Sequence, residues 1–218
     1  MTVALNLGSY ADISDYSSLV EKLKLWLDRG SDLDAQIPTF ISLIEPYLNR
    51  TLRTPDMEAT TFPVITAGGF SLPPDCLAVR SLSMNGVPLD AMAPGQMAGA
   101  YGTPAGIITG CPRAYAISGR AVSIAPVSAG TAALSYWQRI PALTIAAPTN
   151  WLLTAHPDVY LYGALAQADG YIENPERAAQ WTGLFEAAVQ SVTDAAGKAR
   201  WGGPIRARAT TQVRGVRA

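Results

Sequence analysis

Cysteine is almost absent from this chain. Cys76 and Cys111 are the two copies in 218 residues, so no disulfide framework holds the chain, and the spacing of a zinc site is lacking. Both thiols are expected to be buried. Histidine is scarcer still, with His156 the single imidazole. It stands directly before Pro157, where a helix cap or a turn explains it without catalysis. Charged residues make up 15% of the chain. No apolar run approaches the roughly 20 residues of a membrane helix, and "MTVALNLGSYADISD" has no basic start followed by an apolar block. Neither a membrane span nor a standard secretion signal is expected. Acidic residues are missing altogether after Asp194.

What is present is an apolar share of 49%, ample for a hydrophobic core in a chain of this length. The net charge of −1 hides an asymmetry. Six of the sixteen basic residues, Lys198, Arg200, Arg206, Arg208, Arg214 and Arg217, follow Asp194, so residues 1–194 carry ten basic against seventeen acidic side chains, a net of −7. A body of that sign repels phosphates, whereas a fold built to grip nucleic acid carries the opposite.

Periodicity divides the chain. "DYSSLVEKLKLWLDRG" puts Tyr16, Leu19, Val20, Leu23, Trp26 and Leu27 at helical spacing, with Asp15 as N-cap and Gly30 as the expected stop. In "SDLDAQIPTFISLIEPYLNRTLR" Leu33, Ile37, Phe40, Ile41, Ile44, Leu48 and Leu52 share a face, with a break expected near Pro38 and a bend near Pro46. From about residue 59 the period shortens to 2, and five or six strands are expected up to residue 140. Asn85-Gly86 suits a type I′ hairpin turn, a second hairpin turns at Ser118 to Arg120, and "TAALSYWQRI" makes a long strand. Helices return with Pro157 at a first helical position, followed by a segment apolar on both sides. A long helix then begins at Asn174-Pro175, carries Ala178, Trp181, Phe185, Ala188, Val192 and Ala196 in a stripe, and ends at Gly202 and Gly203. The fold class read from this order is α+β. An antiparallel helical bundle, residues 1–58 and 141–201, holds an inserted β-rich domain, residues 59–140, and an extended C-terminal arm follows, residues 202–218.

Chemistry is thin. Asp32 with Asp34, and Glu173 with Glu176, are paired carboxylates that helix starts already explain. The glycines of "TAGGFSLPP" lack the spacing and the Lys-Ser/Thr of a phosphate loop, and Trp26, Trp137, Trp151 and Trp181 fall on core faces or strand ends. No enzyme, cofactor or metal is expected.

The stretch "YWQRIPALTIAAPTNWLLTAHPDVYLYGALAQADGYIENPERAAQW" resembles the head-to-tail adaptors of short-tailed bacteriophages, the tail tubular protein A type. "IPTFISLIEPYLNRTLR", "FSLPPDCLAVRSLSMNGVPL" and "YAISGRAVSIAP" follow the same pattern, and the resemblance covers about residues 30–190. It implies a structural virion protein assembled in the host cytoplasm as a homo-oligomeric ring, a dodecamer, at the head-tail junction. Such a ring docks the portal protein on one side and the tail nozzle protein on the other, and DNA passes through its lumen without specific binding. The resemblance also gives the tail "GGPIRARATTQVRGVRA" a role as an arm on the portal. Its candidate contacts are Pro204, Ile205, Arg206, Arg208, Thr210, Thr211, Val213, Arg214, Val216 and Arg217. Two other readings stay open: a nucleic-acid-binding protein whose basic tail coats DNA, and a tail accessory protein that binds a receptor or glycan through its β domain.

Overall fold

The computed structural model describes residues 13–66, 68–102 and 108–200. The ten candidate arm residues from Pro204 to Arg217, and the expected helix stop at Gly202 and Gly203, lie outside them. The described residues form an α+β fold.

Helix α1 spans Tyr16–Leu27 and starts with a reciprocal cap. The Ser18 N–H donates to Asp15 Oδ1 at 2.8 Å, and the Asp15 N–H donates back to Ser18 Oγ at 3.0 Å. Two otherwise orphaned donors are satisfied at once. The helix ends two residues before the expected Gly30, because Asp28 takes the left-handed conformation (φ +48°) and its N–H closes on the Lys24 carbonyl. An aspartate visits that region more readily than most residues. Asp32 and Asp34 do not start a helix: residues 31–36 are turns, and α2 spans Ile37–Thr51 with Pro38 in its first turn and no acid there. Asp34 instead binds Lys24 Nζ at 2.7 Å. The expected stripe of α2 is the buried one, Ile37, Phe40, Ile41, Ile44 and Leu48.

A 3-10 turn at Pro55–Met57 leads into nine strands among the described residues, rather than five or six: β1 Glu58–Thr61, β2 Val64–Ile65, β3 Gly69–Ser71, β4 Cys76–Met84, β5 Val87–Pro88, β6 Asp90–Ala91, β7 Ala114–Ser118, β8 Ala121–Ala125 and β9 Gly130–Gln138. The surplus comes from edge pieces of two or three residues, too short to show a period. One sheet runs β1-β9-β4-β5, with β2 also on β9, and the other runs β3-β8-β7-β6. Strands β1 and β2 pair with β9 in one continuous register, Glu58 opposite Trp137 and Ile65 opposite Gly130, interrupted only at Phe62-Pro63. Proline has no N–H to give a ladder. Both expected hairpins are present: Asn85 (φ +53°) and Gly86 (φ +78°) turn β4 into β5, and Gly119-Arg120 turns β7 into β8. An unforeseen helix, α3 (Pro94–Tyr101), lies against β7. Its Gly- and Ala-rich sequence carries no apolar stripe.

Helix α4 (Trp151–Ala155) is likewise unforeseen, five residues long and capped by Asn150. Helix α5 (Pro157–Tyr171) is buried on several sides, as its two apolar faces predict, with Val159, Tyr160, Leu161, Ala164, Leu165 and Ala168 at 1% exposure or less. Helix α6 (Pro175–Arg200) starts at Asn174, whose side chain accepts from the Arg177 N–H at 3.4 Å.

Two cores result. One joins α1, α2, α4, α5 and α6, so helices from both ends of the chain share it. The other is built from the inward residues of both sheets, among them Leu82, Met84, Tyr115, Val122, Ile124 and Leu134. The cysteines depart from expectation, since Cys76 is half-buried and Cys111 is exposed. Cys111 precedes β7 in a segment whose residues 108–111 are all exposed.

Candidate functional site

The expected chemical residues are scattered. His156 joins α4 to α5, closes the first helix through its N–H on the Leu152 carbonyl, and makes no side-chain cap bond to the second. Asp34 is committed to Lys24. Glu173 (φ +57°) occupies the turn before α6, and Glu176 lies in the first turn of that helix. Trp26, Trp137, Trp151 and Trp181 pack against the helical core, Trp26 on Trp181 with ring centroids 5.6 Å apart. Among the described residues no group of three or more His, Cys, Asp or Glu side chains could hold a metal ion. The ten candidate arm residues are outside the described part, so the structure brings none of them together.

Instead, the best-organised polar geometry holds the segment by which the chain returns from the sheets to the helical core. The chain leaves the bundle at Met57 and returns at Ile140. Two side chains one helical turn apart on α2 hold the returning segment: Asn49 Oδ1 accepts from the Ile140 N–H at 2.8 Å, and Glu45 Oε1 accepts from the Leu143 N–H at 2.7 Å. Burial pushes the Glu45 carboxyl above its ordinary value, against the opposing pull of the Leu143 N–H. Farther along, Asn150 Oδ1 accepts from the Leu153 N–H at 2.8 Å while its amide nitrogen donates to the Pro141 carbonyl and the Tyr160 hydroxyl, each at 2.8 Å. Burial pushes the Tyr160 phenol strongly up, so it stays neutral. On the sheet side, Arg80 pairs with Glu58 and stands 5.4 Å from the centroid of the Trp137 ring.

A second buried polar feature lies at the α5–α6 turn. Asp169 is fully buried, and Arg177 Nε stands 3.4 Å from its Oδ2. Neither carboxylate oxygen meets a hydrogen-bond partner, so the contact is an ion pair of loose geometry.

Two surfaces of the β part are suited to contacts. Edge residues Phe62 and Val64 are each 67% exposed. By register they stand beside Ala133 and Thr131 on the side of the first sheet that faces away from its core. On the other sheet, α3 overhangs the outward side chains Ala116, Ser123 and Ala125, leaving an apolar groove of about 310 Å³ that Met97 and Tyr101 also line. Reading the sequence alone misses both. The alternation in "ATTFPVIT" is a signal for Phe62 and Val64, while the groove has none before α3 is placed.

The profile of the SU10 adaptor protein family matches residues 14–208. That range takes in both cores and the first part of the tail. No curated protein matches the chain. The chain therefore belongs to the SU10 adaptor protein family, phage head-tail adaptors that are structural proteins of the virion.

Proposed function

We propose that this chain is a ring-forming adaptor that seats on the portal vertex, receives the tail nozzle on its other side and lines the channel through which DNA leaves the capsid, in the manner of the tail tubular protein A type. The family match over residues 14–208 carries this reading. The pairing of β1 with β9, the two strands by which the chain leaves and re-enters the helical core, supports it, since a subunit that transmits contact from one ring to the next benefits from crossings that are bonded to each other. So does the −7 charge of residues 1–194, which keeps DNA moving through a lumen without sticking.

In this reading the basic arm, residues 202–218, reaches the portal. Fully stretched it spans at most about 60 Å, at 3.3 to 3.6 Å per residue. Ordering it costs roughly 1–2 kcal/mol per residue, more than a few surface ion pairs return. Main-chain pairing of "ARATTQVRGV" with an exposed strand edge supplies the remainder, and many arms on one ring act together.

The test is oligomeric mass, by native mass spectrometry or sedimentation, for the chain alone and with portal protein. A ring mass and a ring–portal complex are expected, with portal affinity lost on deleting residues 204–218. A chain that stays monomeric with portal present refutes the reading. If the basic tail coats DNA instead, filter binding shows salt-sensitive affinity that disappears with the same deletion.

A further inference from the structure

Between α2 and the segment that carries the chain back to the helical core lies an open pocket of about 310 Å³. Two of its acceptors are already engaged, Asn49 Oδ1 by the Ile140 N–H and Glu45 Oε1 by the Leu143 N–H. What the pocket has to spare is donors. Arg50 lines it from α2 and Arg139 from the returning segment, and among the described residues neither guanidinium pairs with a carboxylate. Arginine donates and never accepts, so the missing partner is an anion. Glu45 opposes one only weakly, since burial makes its carboxyl take up a proton more readily than usual.

The surroundings select a protein carboxylate over a phosphate. Leu43, Pro46 and Arg50 follow one another along one face of α2, and Leu43 is 54% exposed. Leu77 adds an apolar wall inside the pocket. Arginine beside exposed apolar side chains is the composition of a protein interface, whereas a nucleic acid would meet the −7 charge of residues 1–194. Carboxylates are also what a second copy of this chain has in excess. Glu21, Asp28, Asp32, Asp56, Glu176 and Glu186 are all exposed.

We propose that this pocket receives an Asp or Glu side chain of a second copy of the chain, with its carboxylate held by Arg50 and Arg139 and its methylene groups against Leu77. The inference rests on the ring reading above and names where one subunit grips the next. Pocket and donated acid are different patches of the surface, so the contact runs head to tail, the kind that closes a ring. Charge-assisted bonds from two guanidiniums fix the orientation of the incoming side chain. Salt weakens the grip, because both arginines are exposed.

Sedimentation over a concentration series compares the parent chain with a variant carrying both Arg50→Glu and Arg139→Glu. At low salt the variant is expected to need about tenfold or more protein to associate, with far-UV circular dichroism and urea midpoint unchanged. Arg50→Lys keeps the charge and places an amine in the pocket. In a mixture of isotope-labelled and unlabelled copies, carbodiimide is expected to couple that amine to an Asp or Glu of the other copy. Charge-reversed chains that form rings as readily as the parent overturn the proposal and leave the ring reading standing, while a parent that never associates overturns both. Coupling at position 50 that stays within one chain, or fails, also overturns the proposal. So does a variant that self-associates normally but loses portal binding, since the carboxylate is then the portal's.

Discussion

The Asn150 side chain donates to the Tyr160 hydroxyl at 2.8 Å, with Asn150 7% and Tyr160 0% exposed. Asn150 also caps α4 and holds the Pro141 carbonyl, so one residue satisfies three groups, two of them, the Leu153 N–H and the Tyr160 hydroxyl, in buried bonds. Asn150→Ala strands the two buried groups, and a loss of about 2 kcal/mol or more is expected at 1–3 kcal/mol for each unmet group. Tyr160→Phe removes one bond and leaves Asn150 its other partners, so about 1 kcal/mol is expected. Urea midpoints of the two variants measure the difference, and equal losses would show that the network does not act through Asn150.

Gly163 of α5 faces Ile44 of α2 and Phe185 of α6 at close range. A Cβ there would lie 2.9 Å from Phe185 Cε2 and 3.1 Å from Ile44 Cγ2. Alanine normally strengthens a helix relative to glycine, but here overpacking wins, and Gly163→Ala is expected to destabilise by about 1–3 kcal/mol. Adding Phe185→Leu makes room and should return part of the loss. A thermal melt of the single and double variants is the check, and a stabilised single variant contradicts the close approach.

Glu45 predicts a pH effect. A folded carboxyl that holds its proton more tightly than the unfolded one makes stability fall as pH rises through the window from the unfolded to the raised folded value, with the penalty complete above that window. Glu45→Gln keeps an acceptor for the Leu143 N–H and removes the charge. It is expected to be more stable than the parent at pH 7 and equal to it below the ordinary carboxylate range, near pH 3. Glu45→Ala loses the acceptor and should cost about 1–3 kcal/mol at both pH values. Denaturant titrations at the two pH values read this out, and a glutamine variant weaker at pH 7 would show that the Leu143 contact needs the charge.

Arg177 is the charged partner of the buried Asp169 carboxylate, and its own side chain is 39% exposed. Breaking a fully buried pair costs about 3–5 kcal/mol, and water reaching Arg177 reduces that to an expected 1–3 kcal/mol for Arg177→Ala. In an Asp169→Asn background the same substitution should cost under about 0.5 kcal/mol, because no charge is left stranded. A double-mutant cycle gives the coupling, and identical losses in both backgrounds would remove the ion pair from the account.

Signals that act within a few residues were readable in the sequence. Asp15, Asn85-Gly86, Pro157 and Asn174-Pro175 each decide the backbone next to them, and each falls where its chemistry predicts. The buried stripe of α2 follows from period alone. Contacts made across the chain were not readable. Glu45 and Asn49 meet residues more than ninety positions away, and nothing local distinguishes them from surface polar residues. Gly163 reads as a weak point in a helix until Phe185 and Ile44 are placed around it. Cys111 shows the limit of composition, because residue type predicts burial on average while the exposed segment before β7 decides this case. The described residues do not reach the arm, where the candidate portal contacts lie.

Strands β1 and β9 carry the two chain crossings between the bundle and the sheets, and they lie side by side, laced from Glu58–Trp137 outward. Tension that draws the sheets away from the helices is therefore shared by both strands at once. Neither crossing moves without breaking the ladder it shares with its neighbour.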